Sequence, residues 1–431
     1  MKKEKRFQHL LIAIATLALV GCSVAGGGRP PGQSAQSDKA RVTAPDVPAP
    51  DQADLVAGNG AFAFDLYHEL RKKTDGNLFY SPYSISLALA TTYAGAHGET
   101  ERQMAETLHF DLPQERLHAA FNGLDLALAG RGEGAAGKDD GGFRLHIVNA
   151  IWGQEGYPFL APFLDTLAEN YGAGLRLLEF QEDPEAARVA INDWVGEQTE
   201  GRIEDLLPPG LVDTLTRLVL TNAIYFNAAW ADPFEEGMTA DGPFYPLDGN
   251  QVSVPMMLQT TSYGYAEGTG WQAVELPYDG HELSMVIVLP EMDTFTSFED
   301  GLDVDQLDAI LAGLSPQQVA LTVPKFEIES EAGLADALTA LGMPVAFSEA
   351  ADFSGMDGTR ELYIKDVVHK AFVSVDEAGT EAAAATAVVM VEKAMPMEPV
   401  EVTVDRPFIF LIRDIETGTL LFVGRVVSLE R

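Results

Sequence analysis

The sequence predicts an α+β protein in which helices pack on large mixed or antiparallel β-sheets. Two observations carry this. Segments with helical periodicity cluster in the first half, strand-like runs dominate the second, and the strand–helix alternation of a doubly wound sheet is missing. The chain has 431 residues, 46% hydrophobic and 22% charged, enough for one large domain or two medium ones with a substantial core.

The elements follow in order. "AFAFDLYHELRK" (61–72) carries apolar residues at helical spacing. "SPYSISLALATTYAGA" (81–96) opens with Ser81 as N-cap and Pro82 in the first turn, then runs apolar as a buried helix. "GETERQMAETLHF" (98–110) is amphipathic, "FRLHIVNAIWG" (143–153) reads as a strand, and "PFLAPFLDTLAENYG" (158–172) and "PEAARVAINDWVGEQTEG" (184–201) read as helices. Strands then take over: "LVLTNAIYFNAAW" (218–230), "QAVELPY", "SMVIVLP", "VALTVPKFEIES", "AFVSV", "EVTVDRPFIFLIRD" (401–414) and "LLFVGRVV" (420–427). No internal repeat or linker interrupts residues 55–431.

The N-terminus has a different character. Lys2, Lys3, Lys5 and Arg6 precede the apolar run Leu10 to Gly21, which is too short for an ordinary membrane span. It ends in "LVGC", the pattern of a bacterial lipoprotein signal, in which Cys22 becomes the lipidated first residue; it is the sole cysteine. Residues 1–21 are therefore expected to be a signal peptide. Residues 22–54, rich in Gly, Pro, Ala, Ser and Gln, are expected to be a flexible tether. The product would be an exported protein, lipid-anchored on the periplasmic or extracellular face of the envelope. Removing residues 1–21 takes away a net +3, moving the formal charge from −37 to −40. Such a surface is unsuited to nucleic acid or to electrostatic adsorption on anionic lipid. The mature body would have no disulfide and would rely on packing.

Catalytic motifs are absent. "GEGAAGK" (132–138) satisfies two phosphate-loop patterns, but a helical segment precedes it and Asp139 and Asp140 follow it. A phosphate loop needs a strand before, a helix after, and no added negative charge. There is no H-E-x-x-H or G-x-S-x-G, and the histidines lack metal-ligand spacing. The chain is expected to be a non-enzyme that needs no cofactor and acts by binding or by changing shape.

Four blocks converge on one family. "NLFYSPYSISLALATTYAGAHGETERQMAETL", "LVLTNAIYFNAAWADPF", "KAFVSVDEAGTEAAAATAV" and "DRPFIFLIRDIETGTLLFVGRVV" resemble, in order and spacing, the serpins. The resemblance covers residues 55–431. It implies a central sheet able to accept an extra strand and an exposed reactive-centre loop, here about 377–400. It further implies a monomer that traps a serine protease as an acyl-enzyme when the cleaved loop inserts; the alternative within the family is a non-inhibitory member that acts as a protease substrate or as a binding or chaperone-like protein, against which the small, unbroken hinge argues. The loop hinge would comprise Glu377, Gly379, Thr380, Glu381, Ala382, Ala383, Ala384, Ala385 and Thr386. Ser81, Ser84, Asn222 and His369 match the family's sheet-opening cluster, and Trp230 the point of first insertion.

The residues themselves are compatible with insertion. A strand alternates its side chains between two faces. The even row (Thr380, Ala382, Ala384, Thr386, Val388, Met390) is small, then apolar, and suits burial. The odd row from Glu381 is expected to face outward, and no Pro or Gly interrupts 380–391. By the family's spacing the scissile bond is Lys393-Ala394, and a Lys there suits a trypsin-like protease. A slip to Met390 or Met395 would instead suit a chymotrypsin- or elastase-like enzyme.

Overall fold

The computed structural model describes residues 33–136, 143–247, 249–380 and 398–429. Six helices come early: α1 (Ala49–Leu70), α2 (Pro82–Tyr93), α3 (Gly98–Leu108), α4 (Gln114–Ala129), α5 (Ala161–Tyr171) and α6 (Pro184–Gln198). The strands are β1 (Gln33–Ala35), β2 (Leu78–Tyr80), β3 (Arg144–Gln154), β4 (Leu175–Leu178), β5 (Leu218–Ala229), β6 (Ala240–Phe244), β7 (Val252–Gly268) and β8 (Trp271–Pro277). After them come β9 (Leu283–Pro290), β10 (Ser315–Pro324), β11 (Phe326–Gly333), β12 (Val367–Val375), β13 (Gly379–Thr380), β14 (Val400–Thr403), β15 (Phe408–Asp414) and β16 (Leu420–Val426). One sheet has the order β1-β4-β3-β5-β13-β12-β11, with β5 also pairing directly with β12. The other runs β14-β10-β7-β8-β9-β15-β16-β2, with β6 on β7. Both are mixed: β5–β12 and β3–β4 are parallel, as is β10–β14, among otherwise antiparallel pairs. The expected fold class is what the chain adopts.

Helix α2 shows how local signals place an element. Ser81 caps it, its hydroxyl accepting from the Ser84 N–H at 3.2 Å, and Pro82 occupies the first turn. Every residue from Pro82 to Tyr93 is buried, so the helix lies inside the protein. Strand β5 is buried over all but its last residue, because the sheet is covered on both faces. On the inner face Phe226 meets Phe422 of β16. On the outer face α6 builds a second core: Trp194 packs edge-on against Trp152 at 5.3 Å, with Ile191, Val195, Ala223 and Val368 around them.

The structure departs from the expected tether. Residues 33–54 are not all linker: Gln33–Ala35 form β1, paired antiparallel with β4, and α1 already starts at Ala49. Asp51, buried in its first turn, is held by Arg116. This stretch has few large side chains because backbone pairing and charge hold it, which composition does not report. The described part of the 132–138 motif, residues 132–136, follows helix α4, and β3 is the next described element, so no strand precedes the motif. Gly132 N–H donates to Glu282 at 2.7 Å and Arg131 pairs with Asp414. Carboxylates thus stand where a phosphate would need donors.

Candidate functional site

Strands β5 and β12 run parallel and in register from Leu220–Val367 to Tyr225–Phe372, and then part. Into the top of the resulting wedge the chain folds back from the end of β12. Gly379 pairs with Ala229, and Thr380 pairs with Ala228 on one side and Val375 on the other. The turn is built from backbone bonds: Asp376 N–H to Gly379 O at 3.0 Å, Trp230 N–H to Ala378 O at 2.9 Å and Phe234 N–H to Glu377 O at 2.8 Å. Trp230 adds its indole N–H to Asp376 O at 2.9 Å and stacks on Tyr278 with centroids 4.7 Å apart.

Each hinge residue has a physical reason to be what it is. Gly379 has φ +154°, and a Cβ there would stand 2.1 Å from Ala228 O, so only glycine fits. Thr380 is fully buried and shares a hydrogen bond with the Tyr278 hydroxyl at 2.9 Å. Glu377 is also buried, pairing with Lys325 at 2.7 Å and accepting from the Thr239 hydroxyl at 2.7 Å. Burial works to raise its carboxyl pKa, but the Lys325 and Thr239 bonds outweigh it and hold the group below its ordinary value.

Lower in the same wedge, where β5 and β12 still touch, one rung is polar. His369 Nδ1 meets Asn222 Oδ1 across the pair, and His369 Nε2 lies 3.1 Å from the Ser81 N–H. Asn222 Nδ2 reaches Ser84 Oγ at 2.7 Å and Asn149 Oδ1 at 2.5 Å. The backbone donor fixes the tautomer: Nε2 must accept, so Nδ1 carries the proton and donates to Asn222. Burial pushes the imidazole pKa down to about 3, so His369 is neutral. The network joins β12, β5, β3 and α2 with no nucleophile poised beside a free base. It is suited to holding two strands together, and opening the wedge must break the His369–Asn222 contact.

Ser81, Ser84, Asn222 and His369 therefore do come together. Trp230 does not join them; it sits at the upper end of β5, over the hinge. Sequence reasoning missed Asn149, Tyr278, Lys325 and Thr239. Asn149 was the most legible of these, as the asparagine in an otherwise strand-favouring run facing the core. Glu381, Ala382, Ala383, Ala384, Ala385, Thr386, Met390, Lys393, Ala394, Met395 and Cys22 lie outside the described residues.

Comparison with known proteins agrees with this geometry. The profile of the family described as Serpin (serine protease inhibitor) matches residues 57–429. An uncharacterised serpin-like protein of Thermococcus kodakarensis is 43% identical, over 87% of this chain and 85% of its own. Human leukocyte elastase inhibitor is 39% identical over 87% of this chain and 99% of its own. Among solved structures, uncleaved ovalbumin superposes with a TM-score of 0.77 at 27% identity, covering 87% of this chain and all of its own. The thermophilic serpin tengpin in its native state gives 0.79 at 28%, covering 92% and 100%. The chain belongs to the serpin family, described as serine protease inhibitors.

Proposed function

We propose that this chain is an inhibitory serpin that traps a serine protease by inserting its cleaved loop between β5 and β12. The observation that carries this is a match of register and chemistry. The two rungs at Gly379 and Thr380 fix an antiparallel count for any continuation of β13. Ala382 then falls between Phe226 and Val373, Ala384 between Ile224 and Ala371, Thr386 between Asn222 and His369, and Val388 between Leu220 and Val367. The even row from 382 to 390 holds one hydroxyl, and it lands on the polar rung. There it can both donate and accept, replacing the His369–Asn222 bond that insertion breaks. The odd row adds a second match. Ala385 and Ala387 would lie beside Ala223 and Val368, beneath α6, so this row is solvent-facing only near Glu381. Alanine suits both faces because both are covered.

In the reaction, the protease serine oxygen attacks the carbonyl carbon of Lys393. The Lys393–Ala394 amide breaks, the amine of Ala394 leaves with a proton, and Lys393 stays esterified to the protease. Insertion carries that ester away from its deacylating water. We place the target among trypsin-like proteases on the strength of Lys393. Relatives named leukocyte elastase inhibitor, 39–41% identical, favour a second reading, an elastase- or chymotrypsin-like target cut at Met390 or Met395.

We also propose that residues 1–21 are removed and that lipidated Cys22 anchors the protein, a monomer without cofactor, to the periplasmic or extracellular face of the envelope. Mixing the chain with trypsin tests the inhibitory reading. A covalent complex that survives denaturation is expected, and clean cleavage without one rejects the reading for that class of protease.

A further inference from the structure

The segment before α1 is docked with more specificity than a linker needs. Beyond β1, Ser37 Oγ donates to Asp165 at 2.5 Å and Lys39 pairs with Glu169 at 2.9 Å, both acids on α5. Val42 N–H donates to Glu169 O at 2.8 Å. Arg41 donates to Asn122 at 2.9 Å and pairs with Asp125 at 2.6 Å, both on α4, and the Asn122 amide returns a bond to Val42 O at 2.7 Å. The receiving surface is cut to fit. A Cβ at Gly174 would stand 2.6 Å from Gln36, and one at Gly172 would stand 2.9 Å from Arg41.

The two ends of this segment are tied to parts of the protein that insertion would have to separate. Admitting a strand between β5 and β12 moves them apart by one strand spacing, about 4.8 Å. Strand β5 is bonded to β3 over ten rungs and β3 to β4 over four, so the three strands shift as one block and carry β1 with them. Helix α4 lies outside that sheet, packed on α1, α5 and α2; α1 and α2 contact β16 of the other sheet, and α2 also lies against β5 and β3. Only residues 36–40 separate the β1 ladder from Arg41. A block shift of that size strains the Arg41 contacts or peels β1 from β4.

We infer that residues 33–42 form a strap, with Arg41 as its positioning residue, that restrains the β4–β3–β5 block and slows loop insertion in the uncleaved protein. This rests on the insertion reading above, and the experiment separates the two. Full-length wild type and Arg41→Ala are incubated at a fixed temperature below the native melting transition. Conversion is followed calorimetrically, as loss of the native transition and gain of the higher one seen after loop cleavage. Arg41→Ala is expected to convert about tenfold faster, since charged hydrogen bonds of this kind are lost. Arg41→Lys should recover part of the effect. The cleaved Arg41→Ala protein should melt as the cleaved wild type does, because the restraint has already yielded there; a merely structural residue would weaken both forms. If Arg41→Ala does not fold, Asp125→Asn, which keeps the side-chain size, is measured in the same way. An unchanged conversion rate, or equal destabilisation of the cleaved form, overturns the strap. If cleavage fails to raise the wild-type melting temperature, the insertion reading falls and the strap with it.

Discussion

Replacing Thr380 with arginine should turn the inhibitor into a substrate. Thr380 is fully buried, flanked by Val375 and Ala228, with its hydroxyl on Tyr278. In the uncleaved protein an arginine can escape by withdrawing from the wedge. That sacrifices two rungs and one hydrogen bond, so the chain still folds. Insertion of the loop removes the escape and draws a guanidinium into an apolar row. The effective penalty for an unpaired buried ion is several kcal/mol. Taking about 3 kcal/mol on the insertion barrier slows that step roughly 100-fold, while deacylation by the protease is untouched. The acyl-enzyme should then partition to hydrolysis. The assay is a titration of trypsin, scoring moles of inhibitor consumed per mole of enzyme inactivated and the yield of denaturation-resistant complex. Thr380→Val, which keeps the volume and loses only the hydroxyl, should stay an inhibitor. Retention of one-to-one inhibition by Thr380→Arg would show that this side chain is not buried in the trapped state.

Other consequences can be measured independently. Thr386→Val should leave the uncleaved protein's melting unchanged but cost the cleaved form about 1–3 kcal/mol, because the polar rung of Asn222 and His369 loses its new partner; equal stability of the two cleaved proteins contradicts the register. His369 is held neutral with its pKa lowered to about 3, whereas in the unfolded chain it titrates near its ordinary value. The unfolded state alone gains the proton as pH falls from about 6.5 towards 3, so stability is lost over that window. By pH 5 the loss is about 2 kcal/mol. The stability difference between wild type and His369→Gln should shrink by that amount between pH 7 and pH 5, and a pH-independent difference contradicts the assignment. Cys22→Ser, expressed in a bacterium that processes lipoproteins, should lose incorporated fatty acid and appear in the soluble fraction; unchanged labelling would place the anchor elsewhere.

Much of the fold was legible because the informative signals are local. Ser81-Pro82 marks a helix start, β-branched runs mark strands, and the hinge carries its own small-residue row. What escaped depends on partners distant in sequence. The 33–42 segment looked like linker because it is held by a backbone ladder and by Lys39 and Arg41 meeting acids more than 80 residues away. Asn149 became part of the polar rung only once β3 lay beside β5 in a register that aligns it with Asn222. Gly379 was expected in the hinge; the structure adds a steric reason for glycine there, the close approach of Ala228 O.

The central claim is that the loop is cut after Lys393 and that the cut leads to capture. It is tested most directly by forming the trypsin complex, denaturing it, and determining the mass of the peptide released. The account predicts a covalent complex of protease and residues ending at Lys393, with a free peptide that begins at Ala394. A peptide beginning after Met390 or Met395 would move the bond and the target class. Complete cleavage with no covalent complex would contradict the inhibitory mechanism itself.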